Sequence, residues 1–234
     1  GGREYGLLAD QVDAGPLFSV LALSDRIDPG LRRWLLTAHP GAALRDVVVA
    51  GRRGGALHAS GRIDTLAFAP IGNAPGLSGL AGRFEGDAQG VHFVFDPARP
   101  MRFDWPAGFG AAHVVRLRGS VDGWREGAGW RVGTTALHVA GGDFGAHLRG
   151  GLWFQGDGTR PWIDLAAELD DTGVLVAKGF WIRHLMPSGA IHWLDGALVA
   201  GRVERGRALV SGDLDDWPFN AHNGRFQADA HIAD

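Results

Sequence analysis

The sequence predicts a mainly β protein of long antiparallel strands with a few short helices. Three observations predict it. Apolar residues alternate with polar ones at a period of two through most of the chain, the pattern of strands with one apolar and one wet face. The 38 glycines are scattered along 234 residues rather than gathered in a linker, which suits turns, bulges and strand ends and suits long helices poorly. Helix-start signals are few.

In chain order, the continuous apolar run from Pro16 to Leu23 is a candidate short helix. Asp28-Pro29 is an N-cap and first-turn pair, after which Leu31, Trp34 and Leu35 fall at helical spacing. Strand alternation then takes over, with Val91, Phe93 and Phe95 on one phase and His92 on the other. Val115 and Leu117 alternate with Arg116 and Arg118, and Leu137 and Val139 flank His138. Phe144, Ala146 and Leu148 alternate with His147 and Arg149, and Ile163, Leu165 and Leu169 alternate with Asp164 and Glu168. Turn signals at Glu126-Gly127, Gly141-Gly142-Asp143 and Gly156-Asp157-Gly158 separate these runs as in a meander. Pro187-Ser188 starts a second helix with Ile191, Leu194 and Leu198 on one face, and Ala208, Val210, Gly212 and Leu214 resume the strand pattern.

Gly55, Gly61, Ile63, Asp64 and Phe68 recur at identical spacing as Gly206, Gly212, Leu214, Asp215 and Phe219. Each set follows a Trp-Leu pair (Trp34-Leu35, Trp193-Leu194) and precedes Gly-Arg-Phe (82–84, 224–226). The expected organisation is a helix-plus-strand module at 1–96, a β meander at 97–180 and a second, truncated module at 181–234, forming one continuous assembly. The chain starts at Gly1 without methionine and stops at Ile232-Ala233-Asp234 within a strand-like pattern, so an internal fragment is expected.

Composition excludes several classes. An apolar share of 45% and a charged share of 21% are those of a folded protein, and a net charge of -3 gives no basic surface for nucleic acid. Cysteine is absent, which removes disulfides and thiolate sites. No run reaches the roughly 18 apolar residues of a membrane span. Lys178 is the single lysine, beside many arginines.

Chemistry-bearing residues form no recognisable motif. Asp213, Asp215 and Asp216 are the densest carboxylate cluster but lack the glycine and closing glutamate of a calcium loop, which favours a hydrogen-bonded turn. His184, His192, His222 and His231 make no His-x-x-x-His pair, and His138 and His147 fall on the polar phase of their strands, where solvated imidazoles are expected. Ser60 and Ser211 lack the nucleophile elbow, and Glu168 and Asp170 share a wet face. No catalytic residue, metal site or cofactor is expected. Trp153, Trp162, Trp181 and Trp217 are candidates for stacking on sugar rings or for packing at an apolar boundary. An apolar sheet face this long must be covered by a second sheet, by rolling, or by a ligand. Both an open groove and a closed sandwich meet that requirement.

The segment Leu185-Met186-Pro187-Ser188-Gly189-Ala190-Ile191-His192-Trp193-Leu194-Asp195, with Gly206 through Gly-Asp-Leu-Asp-Asp-Trp-Pro-Phe (212–219), resembles the YhdP family of AsmA-like, TamB-related envelope proteins. The stretch from about Ala14 to Gly86 and the strands between are similar to it as well, so the resemblance covers essentially the whole chain. It implies a long twisted sheet curved into an open β-groove, a half-barrel with an apolar lining. It also implies an inner-membrane-anchored periplasmic protein of Gram-negative bacteria that conducts phospholipid acyl chains towards the outer membrane and maintains its lipids, without enzymatic activity. Expected partners are phospholipid acyl chains, further modules of the same chain and other envelope proteins. Combined with the strand phase, the expected groove lining is Val91, Phe93, Phe95, Val115, Leu117, Leu137, Val139, Phe144, Leu148, Ile163, Leu165 and Leu169. The alternative is a carbohydrate-binding β-sandwich module of an exported protein.

Overall fold

The computed structural model describes residues 4–25, 27–182 and 185–233. The chain opens with strand β1 (Glu4–Asp13), helices α1 (Gly15–Ala22) and α2 (Pro29–Ala38), and strands β2 (Gly41–Arg52), β3 (Leu57–Phe68) and β4 (Gly76–Asp87). Strands β5 (Gly90–Phe95), β6 (Met101–Asp104), β7 (Ala112–Glu126), β8 (Gly129–Ala140), β9 (Gly145–Phe154) and β10 (Trp162–Leu169) follow. The remainder holds β11 (Thr172–Gly173), α3 (Val174–Lys178), α4 (Ser188–Ala197), β12 (Arg202–Asp213), a 3-10 turn at Leu214–Asp216, and β13 (Gly224–Ala233).

All thirteen strands form one antiparallel sheet. Its topology is a meander, in which each strand position pairs with the next along the chain. Two positions are shared. β5 pairs with the Gly82–Gly86 part of β4 while β6 pairs with Gly76–Ser78, so both lie between β4 and β7. β10 and β11 likewise flank one side of β12. Thirteen strands therefore fill eleven positions. Among the described residues β1 pairs only with β2 and β13 only with β12, so both edges are open and the sheet is not a closed barrel. The expected long antiparallel sheet with few helices is what forms.

The connections sort onto two rims. Helices α1 and α2, the 69–75 and 105–111 loops, the Gly141–Phe144 turn and helices α3 and α4 all join strands at one rim. Tighter hairpins after β2, β4 and β7, with the 155–161 and 214–223 turns, lie on the other. Asp28 caps α2 by accepting from Leu31 N–H at 3.0 Å, and Pro29 presets the first turn, as the sequence predicts. The helix buries Leu35 and Ala38, and Trp34 meets Phe68 at the end of β3 edge-on at 5.4 Å. This seals one corner of the sheet.

The rim assignment revises the sequence repeat. Gly61 to Phe68 runs along β3 towards the helical rim, whereas Gly212 to Phe219 leaves β12 at the hairpin rim. Leu214 is not in a strand: Asp213 accepts from Asp215 N–H at 3.0 Å and turns the chain into the 3-10 segment. The two sets therefore lie on strands of opposite direction.

Candidate functional site

Cross-strand register decides which residues share a face. Leu7, Val49, Ala59, Gly86, Val91, Gly123, Val132, Leu152, Ile163, Gly212 and Gly224 are successive partners across all eleven positions, from β1 to β13. Every one is apolar or glycine. Parallel rows flank it: Gly61, Phe84, Phe93 and Val121 run as far as the β7–β8 irregularity, Gly150, Leu165, Val210 and Phe226 resume beyond the polar Thr134 of β8, and Gly119, Leu137, Leu148, Ala167, Ala208 and Ala228 make a third row. The opposite face carries ionisable partners instead, as in the row Arg118, His138, His147, Glu168, Arg207 and Asp229. The sheet is amphipathic from β7 to β13, while near the β1 edge Leu8 and Val48 put apolar side chains on the opposite face as well.

The strand phase survives irregularities that threaten it. A register shift between Thr134 and Leu137 puts an extra residue into β8. Val132 and Leu137 differ in parity yet reach the same face because of that bulge.

By register, eleven of the twelve residues named as lining share this face, and Phe144 is the one that does not lie on a strand. Met101, Val115 and Leu117 form a tightly packed cluster on this face, with Leu80, Phe95, Phe103, Leu137, Val139 and Phe144 around them. Phe144 stands in the turn before β9 rather than on a strand and packs at 4.4 Å against Phe180, which reaches over from beyond α3. Phe109 and His113 complete this aromatic wall at the helical rim. Away from the wall the face is uncovered. Val91 and Val132, near the middle of the longest row, keep 41% and 37% of their surface exposed, and Phe226 keeps 58%.

The total surface agrees. A compact monomer of 24.8 kDa exposes about 10,000 Å² by the usual scaling, whereas this chain exposes 14611 Å². Among the described residues, the strands pack chiefly against their ladder partners and no second strand layer faces them. The two-sheet sandwich has no second sheet among the described residues.

Aromatic rings seated on glycines explain part of the glycine excess. Phe93 lies over Gly82, its ring 2.6 Å from the position of an added Cβ, and Phe84 covers Gly61 at 3.0 Å. A side chain at Gly61 would press on the ring, and one at Gly82 would also collide with the Val94 carbonyl. This packing cannot be read from alternation, which counts glycine merely as small.

The other candidates disperse. Trp153 and Trp162 are cross-strand partners on the polar face, with Arg131 4.9 Å above the Trp153 ring. Trp217 packs on Phe219 and Phe226 at 5.3 and 5.4 Å, and Trp181 lies beside Lys178. No common sugar platform results. Asp215 accepts from Arg160 N–H at 3.0 Å, so the carboxylate cluster serves the turn. Ser60 and Ser211 lie on β3 and β12, facing the polar side with Glu85 and Asp164. His184 lies outside the described residues. Asp157, in the turn before β10, is held below the ordinary carboxylate range by the Thr159 hydroxyl and then by the Thr159 N–H. His138 and His147 lie on the polar face as expected, His147 exposed and His138 half-buried, and their rings stack face to face beside Asp170. The register that makes them partners is invisible in a linear spacing.

No helix among the described residues is long and apolar enough to cross a membrane. No curated protein and no solved structure matches the chain significantly. The family model described as YhdP protein matches residues 1–234, the full length of the sequence given. With a single amphipathic meander carrying the Trp-Leu and Gly-Asp-Leu-Asp-Asp-Trp-Pro-Phe segments in place, the chain belongs to the YhdP family.

Proposed function

We propose that this chain is a non-enzymatic segment of an inner-membrane-anchored periplasmic bridge that shields phospholipid acyl chains as they pass between the membranes. The observation that carries the proposal is the unbroken apolar row from Leu7 to Gly224 on a face with no covering layer. Such a face in water is costly, and each methylene laid against it contributes about 0.8 kcal/mol. Ten strand spacings of about 4.8 Å make the row roughly 48 Å long. One acyl chain spans about half the roughly 30 Å bilayer core, so the row accommodates several chains end to end. Since the row runs across the strands, lipid moves along the sheet without leaving apolar surface. The polar headgroup stays on the open, solvated side.

Lipid extraction with mass spectrometry, alongside native mass spectrometry of the purified chain, tests this. Reproducible, stoichiometric phospholipid is expected. Leu165→Asp places a charge in the second row and is expected to abolish lipid retention while leaving a soluble protein. A fully lipid-loaded Leu165→Asp protein would falsify the groove assignment.

A further inference from the structure

On the polar face, away from the apolar rows, three ligand-type side chains converge. His138 of β8 and His147 of β9 are cross-strand partners, and their rings stack 4.5 Å apart at 24°. Asp170 follows β10, and its N–H donates to the Gly145 carbonyl at 2.9 Å, which anchors it beside them. Its two carboxylate oxygens divide between the rings: Oδ2 lies 3.4 Å from His138 Nε2 and Oδ1 lies 3.4 Å from His147 Nε2. The three donor atoms lie within 4.8 Å of one another.

Two features mark a built arrangement. Distances of 3.4 Å are long for charge-assisted hydrogen bonds. The carboxylate instead bridges the two rings through different oxygens, an arrangement that a small rotation of the rings converts to ligation at the roughly 2.0–2.1 Å bonds of zinc to imidazole nitrogen and carboxylate oxygen. Second, Gly145 leaves room for the carboxylate: a Cβ there would collide with Asp170 Oδ2.

We propose that His138, His147 and Asp170 bind one divalent transition ion of the zinc class. Two imidazoles with one carboxylate favour zinc, copper or nickel over calcium or magnesium, which take oxygen ligands. The fourth position opens to solvent, since the His147 side chain is 61% exposed. The ion ties the ends of β8, β9 and β10 at the helical rim. There, the buried Thr172 hydroxyl already donates to the Asp143 carbonyl at 2.7 Å. The proposal is independent of lipid binding on the other face.

Calorimetric titration of the tag-free 234-residue chain with Zn²⁺ alone tests it. Saturation at one equivalent is expected, and a Co²⁺-loaded sample is expected to show the intense visible absorption of four-coordinate cobalt. His147→Gln and Asp170→Asn each weaken zinc binding by about tenfold or more, while His222→Gln leaves it unchanged. Gly145→Ala keeps all three ligands but displaces the flexible end of Asp170, and is expected to weaken binding comparably. Circular dichroism confirms that each variant folds. Absence of saturable zinc binding, or binding that survives both His147→Gln and Asp170→Asn, overturns the proposal.

Discussion

The Phe219 ring lies over Gly212: a Cβ on that glycine would stand 2.6 Å from the ring and 2.9 Å from Gly224 Cα across the strand. Gly212 also has φ +148, which a side chain rarely tolerates. Gly212→Ala is therefore expected to lose about 2 kcal/mol or more. Gly61→Ala meets mainly the edge of the Phe84 ring and is expected to lose less. Urea denaturation of the two variants gives the order. Equal midpoints would show that the rings do not depend on their glycine seats.

Ile163 and Asp164 are chain neighbours on opposite faces, partnered by Leu152 and Gly212 in one case and by Gly151 and Ser211 in the other. Ile163→Asp is expected to lower binding of an apolar fluorescent dye, and Asp164→Ala to leave it unchanged. Loss of dye signal in both variants would mean that the two faces are not functionally distinct.

Lys178 joins two helices. Its ammonium lies 3.0 Å from Asp195 Oδ1 and 3.0 Å from the Leu198 carbonyl, with the side chain only 14% exposed. Lys178→Ala is expected to destabilise by about 1–3 kcal/mol. Lys178→Arg is expected not to rescue it fully, because a planar guanidinium does not fit donors meant to radiate from a single nitrogen. Thermal melts of both variants measure this, and an Arg variant as stable as the parent contradicts it.

Asp157 is expected to titrate below the ordinary carboxylate range, and Thr159→Val to raise it by removing the hydroxyl 2.5 Å from Oδ1. Because the folded-state value is depressed, this contact supports the fold above the ordinary carboxylate range. The support is lost as pH falls through the lowered value. Carboxyl-detected NMR titration of parent and variant reads both positions directly.

Much of the sheet was legible because alternation is a direct imprint of a face that must stay apolar. Val91 to Phe95 and Ile163 to Leu169 keep every residue of the inward phase apolar, and the capped start at Asp28 located α2. Single-stranded evidence runs out where two strands must be considered together. His138 meets His147 only through the β8–β9 register, and Asp170 joins them only because Gly145 leaves space. Phe180 was silent for the same reason, since its packing against Phe109 and Phe144 depends on where α3 returns over the sheet. The repeat of Gly61 and Gly212 was real in sequence and does mark two glycines under phenylalanine rings. Its strands nevertheless run oppositely, a fact that spacing alone does not encode.

The meander also governs how such a sheet assembles. Most strands find their partner across a short hairpin, so little loop entropy opposes each addition. Only β1–β2 and β10–β12 must close over helical insertions, which makes them the slow joints of an otherwise sequential zipper. Accretion of this kind fixes the width of the sheet through strand length and leaves its extent to the number of hairpins encoded. Lengthening by whole hairpins then requires no redesign of the strands already in place.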